Sequence, residues 1–148
     1  MTVRIAAVLM LLAGCAAPPP SKPKPDPTRE AGYTEAVEQL SALNREAADL
    51  LQRGRPDDAA AAITKGQPLQ ARLLAAPQPT LAAMEAVADL DELYARMLLS
   101  NHQDGWARML LQKNVVRWKT WTPQTSETAR RLHEAEAAVA ECDRRLSR

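Results

Sequence analysis

The chain has 148 residues, with 19 Lys and Arg against 18 Asp and Glu, 2 cysteines, 11 prolines and no phenylalanine. A near-zero net charge removes the bulk electrostatic case for nucleic acid as a partner, and two cysteines exclude a disulfide-dense scaffold. The length suits one small domain with its own core, and the dominance of alanine and leucine predicts close-packed helices rather than a pleated sheet.

Residues 1–14 read as a signal peptide. Arg4 gives a positive start, Ile5 to Ala13 is an unbroken apolar run, and Gly14 and Cys15 close it. The run is far short of the roughly 20 residues of a spanning helix, and prolines follow, so it is not a transmembrane anchor. Leu12-Ala13-Gly14-Cys15 resembles the lipobox of bacterial lipoproteins, with Leu12 at the leucine position, Ala13 and Gly14 as the small pair and Cys15 as the acceptor. That resemblance implies diacylglycerol on the Cys15 sulfur, cleavage before Cys15 and acylation of the new amino terminus by a fatty acid such as palmitate. One acyl chain holds a protein marginally, whereas two or more give a stable membrane anchor.

Ala16 rather than aspartate follows the acceptor. By the same resemblance, a Gram-negative cell would sort the protein to the inner leaflet of the outer membrane, with its domain facing the periplasm. In a Gram-positive cell the same signal implies the outer face of the plasma membrane. Loss of residues 1–14 removes one charge, Arg4, and leaves acids and bases in balance. With Cys15 consumed by lipid, Cys142 is the remaining thiol, so the fold must rest on packing without an internal disulfide.

Residues 15–27 are expected to be a lipid-anchored linker. Ala16 to Pro27 reads AAPPPSKPKPDP, which favours an extended polyproline-type spacer at about 3.1 Å per residue, roughly 30–40 Å in all. Lys22 and Lys24 within it read as solvated charges rather than as a lipid or cell-wall site.

Residues 28–148 form the predicted helical domain. Tyr33, Val37, Leu40, Leu43, Ala47 and Leu50 recur at three- and four-residue steps, predicting a helix from about Thr28 to Arg53 that ends at Gly54. Pro56 opens a second, to about Ala76, with Asp57 and Asp58 suited to its N-terminus. Gly66 and Pro68 predict a bend or break in it. Thr80 caps a third helix whose buried face is Ala83, Ala86, Val87, Leu90, Leu93, Tyr94, Met97 and Leu98.

Ser100 to Gly105 breaks the pattern, either as a short loop or as a kink. Trp106 to Trp121 is helical again, with a broad apolar surface from Trp106, Met109, Leu110, Leu111, Val115 and Trp118. Thr122 and Pro123 read as N-cap and first-turn proline of a last helix carrying Leu132, Ala135, Val139, Cys142 and Leu146. Short polar turns between amphipathic helices predict an all-α fold, an antiparallel bundle of four to five helices.

Leu43, Ala47, Leu50, Gly54, Ala59 and Ile63 fall where a tetratricopeptide repeat places its apolar and small residues, and Gly54-Arg55-Pro56-Asp57-Asp58-Ala59 looks like that family's inter-helix turn. The resemblance covers about 34 residues. It departs at Pro56, where the family has an aromatic, at Gly66, where it has alanine, and at Pro68. One period on, Leu81, Met84, Ala88, Leu93 and Met97 lack both the glycine and the alanine of the pattern. A repeat array needs several stacked copies, so a single tetratricopeptide-like hairpin within a bundle is expected. The role the resemblance implies is scaffolding of a partner peptide in a concave groove.

Catalytic patterns are sparse. His102 and His133 are the histidines. His133 and Cys142, nine residues apart, face opposite sides of one helix and cannot form a thiol–imidazole pair. His133 with Glu136 has an i,i+3 spacing open to a metal, but two ligands do not make a site. His102 with Asp104 reads as a loop or cap. No phosphate loop, serine elbow, paired-cysteine metal pattern or cofactor motif is present.

Gly105 to Trp121 is the most unusual stretch. It holds Arg108, Lys113, Arg117 and Lys119, no acid and all three tryptophans, while Pro79 to Asp104 carries five acids and one base. In one arrangement this basic helix lies beside the acidic third helix, charges meet at the rim and the tryptophans fill the core. In the other, Trp106, Arg117, Trp118, Lys119 and Trp121 form a surface for anionic lipid or a partner protein. Arg117 and Lys113 fall within the Trp106–Leu110 face, which spoils the amphipathicity the membrane version needs.

The expected function is therefore a non-catalytic envelope lipoprotein, tethered by Cys15, whose helical domain binds or spaces another envelope protein. The alternative is a small enzyme or metal-dependent envelope protein using His102, His133 and nearby carboxylates.

Overall fold

The computed structural model describes residues 26–148, so the signal peptide, Cys15 and most of the linker lie outside the described residues. After one 3-10 turn at Pro27–Arg29 come five helices: α1 (Ala31–Gln52), α2 (Pro56–Leu74), α3 (Leu81–Ser100), α4 (Asp104–Thr120) and α5 (Ser126–Leu146). The described residues contain no strand, and no helix among them is long and apolar enough to cross a membrane. The all-α expectation is met at its upper helix number.

Each helix packs on the next, and α1 also packs on α3. Among the described residues no Cα of α1 or α2 lies within 8 Å of one in α4 or α5. The helices thus stack in sequence order, and with short connectors α1 and α3 run in the same sense while α2 and α4 return.

Gly54 ends α1 at φ 69°, where its N–H bonds the Leu51 carbonyl at 3.1 Å and the Arg55 N–H bonds the Leu50 carbonyl at 2.9 Å. This pair of bonds is a Schellman cap, which satisfies carbonyls the helix end leaves free. α3 ends in the same way around His102, at φ 57°, with His102 N–H to Leu99 O at 3.2 Å and Gln103 N–H to Leu98 O at 2.8 Å. The Ser100–Gly105 break is therefore a three-residue connector. Thr80 caps α3 as expected, its Oγ1 accepting the Ala83 N–H at 3.2 Å, while the Thr80 N–H donates to the Tyr33 hydroxyl and ties the starts of α1 and α3 together.

Two expectations need correcting. α2 is not broken: it runs from Pro56 to Leu74 through Gly66 and Pro68. Gly66 is buried between Leu40 of α1 and Leu90 of α3, and Pro68 points to solvent, so the inner face of Ala59, Ala62, Ile63 and Leu73 stays continuous and offsets the roughly 3 kcal/mol cost of an internal proline. The cap of α5 is Thr125 rather than Thr122. Thr125 Oγ1 accepts the Thr128 N–H at 3.2 Å and Thr128 Oγ1 accepts the Thr125 N–H at 2.8 Å, a capping box with threonine in the usual glutamate place.

The main core joins Tyr33, Ala36, Leu40 and Ala47 of α1 to Ala59, Ala62, Ile63 and Leu73 of α2 and to Ala83, Met84, Val87, Leu90 and Leu93 of α3, with Trp118 and Ala135 closing it. A second cluster of Ala95, Leu98, Ala107, Leu110, Leu111 and Cys142 binds the far end of α3 to α4 and α5. Many of these residues are alanine, which lets the helix backbones approach closely.

Candidate functional site

The tryptophan and basic residues of α4 do not share one surface. Trp118 is 2% exposed and part of the core, whereas Trp106 is 63% exposed and Trp121 is half-buried against the core. Lys119 is exposed. Arg117 turns inward with 11% of its side chain exposed, and its Nη2 meets Asp91 Oδ2 of α3 at 3.0 Å. A surface made of all five residues is thus not formed.

The Arg117–Asp91 pair sits in a polar chain crossing three helices. Gln70 of α2 donates to Asp91 Oδ1 at 2.8 Å, Arg117 Nη1 donates to Asn114 Oδ1, and Asn114 Nδ2 donates to the Ala88 carbonyl at 3.0 Å. A buried carboxylate and guanidinium are tolerable only when paired and hydrogen-bonded, as they are here. The basic-beside-acidic arrangement is met at this pair, in the interior rather than at the rim. Arg108 pairs instead with Asp143 of α5, which holds its guanidinium above the usual arginine range through that hydrogen bond.

A further concavity lies between α1, α3 and α5, as an open groove of about 420 Å³. Its walls include Ser41 and Arg45 of α1 and Glu85, Asp89, Glu92 and Arg96 of α3, with Arg131 of α5 at one end. Arg131 Nη1 meets Asp89 Oδ1 at 2.9 Å, its Nε lies 3.8 Å from Glu85 and 3.0 Å from Glu127, and its guanidinium stacks 5.5 Å from the Trp118 ring centroid. Burial works against the charged form of Arg131, and the bonds to Asp89, Glu85 and Glu127 more than offset it. Arg96 pairs with Glu92, which leaves Arg45 as the groove cation without an ion pair among the described residues.

Asn44 is the least ordinary lining residue. It is buried, its Nδ2 donates to the Ala86 carbonyl at 2.8 Å, and its Oδ1 accepts no hydrogen bond. A buried acceptor left unmade costs roughly 1–3 kcal/mol, and one residue of the groove carries that deficit. Sequence reading missed Asn44 and Arg131. The signal available was a polar residue inside an apolar stripe, at the step between Leu40 and Ala47.

The histidines do not converge on chemistry. His102 is exposed in the left-handed cap position and His133 is exposed on α5. Among the described residues no group of three His, Cys, Asp or Glu side chains could hold a metal ion. Cys142 is fully buried, and burial pushes its thiol above the ordinary value, so it stays protonated and shielded. No family model, no curated protein and no solved structure matches the chain.

Proposed function

We propose that the chain is a cell-envelope lipoprotein, held to the membrane by lipid on Cys15, whose helical domain is a non-catalytic module that takes a segment of an envelope protein partner into the α1/α3/α5 groove. In a Gram-negative cell its place is the inner leaflet of the outer membrane, with the domain facing the periplasm. The observation that carries the binding role is the open groove itself, about 420 Å³ between α1, α3 and α5, with Arg45 in its wall left without an ion pair among the described residues. Charges of both signs along the walls suit an extended polar segment rather than an apolar ligand. The anchor rests on Leu12-Ala13-Gly14-Cys15 and the proline-rich spacer behind it.

A photoreactive residue placed at Ser41 or Ala82, in intact cells, is expected to crosslink a defined envelope protein, and the same probe at Lys65 on α2 is expected to give none. Crosslinks from Lys65 alone would end the groove reading. Independently, Cys15→Ser is expected to move the protein from the membrane to the soluble fraction and to abolish fatty-acid labelling. An unchanged distribution would end the anchor reading.

A further inference from the structure

α4 is apolar on two sides. Its inner side holds Ala107, Leu110, Leu111 and Trp118, while Trp106, Met109, Lys113 and Val116 follow one another at three- and four-residue steps and form a stripe facing away from the core. Met109 is 47% and Val116 54% exposed. Beside Trp106 and Met109, Tyr94 and Leu98 of α3 extend the patch as a shallow apolar notch. Such a contiguous patch on a small domain marks an interaction site rather than scattered surface carbon.

The charges that α4 itself places beside this patch have one sign, and the acid that α5 brings near, Asp143, is already engaged by Arg108. From Gly105 to Trp121 there is no acid. Lys113 lies within the stripe and Lys119 on its flank, and neither has an ion pair among the described residues. Two copies packed stripe to stripe would bring each Lys113 against apolar or basic side chains, with no acid on the stripe to answer it. With Arg117 turned inward to Asp91, Lys113 alone interrupts the stripe, and an anionic bilayer surface answers both parts: the long stem of Lys113 lets its ammonium reach the headgroups while Trp106, Met109 and Tyr94 enter the interfacial zone.

We propose that the outward face of α4, centred on Trp106, Met109, Lys113 and Val116, docks the domain flat on a membrane containing anionic phospholipid. The contribution of the tether rests on the proposed lipid at Cys15; the surface itself does not. The spacer from Cys15 to Asp26, at about 3.1 Å per residue when extended, exceeds the roughly 30 Å length of α3. The tether therefore lets the Trp106 end, which lies at the opposite end of α3 from the start of α1, reach the bilayer. In that pose the α1/α3/α5 groove, which takes no lining residue from α4, is left uncovered by the docked α4 face.

The chain from Asp26 to Arg148 holds every helix among the described residues and both apolar clusters, and it is the form to mix with vesicles of phosphatidylcholine, with and without phosphatidylglycerol. Sedimentation is expected to show binding to the phosphatidylglycerol vesicles and little to the neutral ones, with a blue shift in tryptophan emission that Trp106→Ala removes. Lys113→Glu is expected to weaken binding about tenfold. Lys65→Glu, the same charge change on the exposed side of α2, is expected to leave it intact, with circular dichroism confirming that each variant folds.

Equal binding to both vesicle types, an equal loss from Lys65→Glu, or no binding at all would each overturn the proposal. No binding together with concentration-dependent self-association that Val116→Glu abolishes would assign the stripe to a second copy instead. None of these outcomes touches the Cys15 anchor or the groove, which fractionation and crosslinking read separately.

Discussion

The hairpins α1–α2 and α3–α4 share a connector and differ in what holds them. Both turn in three residues through the same two backbone bonds around a left-handed residue, and both second helices open on acids, Asp57 and Asp58 in one and Asp104 in the other. The first hairpin closes on small and apolar contacts, with Gly66 wedged between Leu40 and Leu90. The second closes around a buried ion pair and an asparagine that donates to a backbone carbonyl. The turn geometry is set by the helix ends, while the interface chemistry is free to vary. The first hairpin should therefore be sensitive to volume and the second to charge.

The sharpest way to break that contrast is Asp91→Ala. It strands the Arg117 guanidinium in the interior and should cost about 4 kcal/mol in urea unfolding. Asp91→Leu combined with Arg117→Met should recover most of that loss, and a single-variant cost below about 1 kcal/mol would show that the second hairpin does not depend on charge.

Next in size is Gly66→Val. Even an added Cβ would stand 3.0 Å from Leu40 Cδ1 and Leu90 Cδ1, so the larger side chain should cost about 2 kcal/mol by overpacking. The connectors then sharpen the likeness. Gly54→Ala should destabilise by about 1 kcal/mol for backbone reasons alone, since no neighbour would meet its Cβ, whereas His102→Gly should stabilise by a similar amount. Equal and opposite shifts in thermal midpoint would establish that the two turns are one device made from different residues.

Acid gives the smallest effect. Hydrogen bonds from Arg130 to Glu127, and from Arg145 to Glu141, hold these carboxyls below their ordinary value of 4.5. The stability they add is complete above that value and is lost as pH falls through the lowered ones. The pairs are exposed, so the loss should be slight and further reduced by salt. Glu127→Gln with Glu141→Gln should flatten the decline of thermal midpoint below about pH 4.5, and an unchanged slope would show that these pairs contribute nothing.

Helix number, most boundaries and the buried stripe of α3 could be read from periodicity, because Ala83, Ala86, Val87, Leu90 and Leu93 repeat on one face. Pro68 misled because a local penalty was weighed without the burial that α1 and α3 supply on the other side of α2. Trp106 did not follow the arrangement in which the tryptophans fill the core, because apolar residues ring α4 and composition does not say which arc meets a neighbour. The second connector was invisible to a search at tetratricopeptide spacing, since one period of about 34 residues after Gly54 falls on Ala88 inside α3, well short of His102. Arg117 looked like a flaw in an amphipathic face because its partner, Asp91, is 26 residues away. Asn44 and Arg131 escaped for the same reason: their contacts exist only after α1 and α5 have come to lie along α3.

Arg131 joins two things that are otherwise separate. One edge of its guanidinium faces the groove carboxylates and its plane covers the sealed indole of Trp118. Anything that enters the groove and draws that cation toward itself strips a charge from above a chromophore shielded from water. If the proposed segment binds there, the emission of Trp118 is expected to report its arrival without a label.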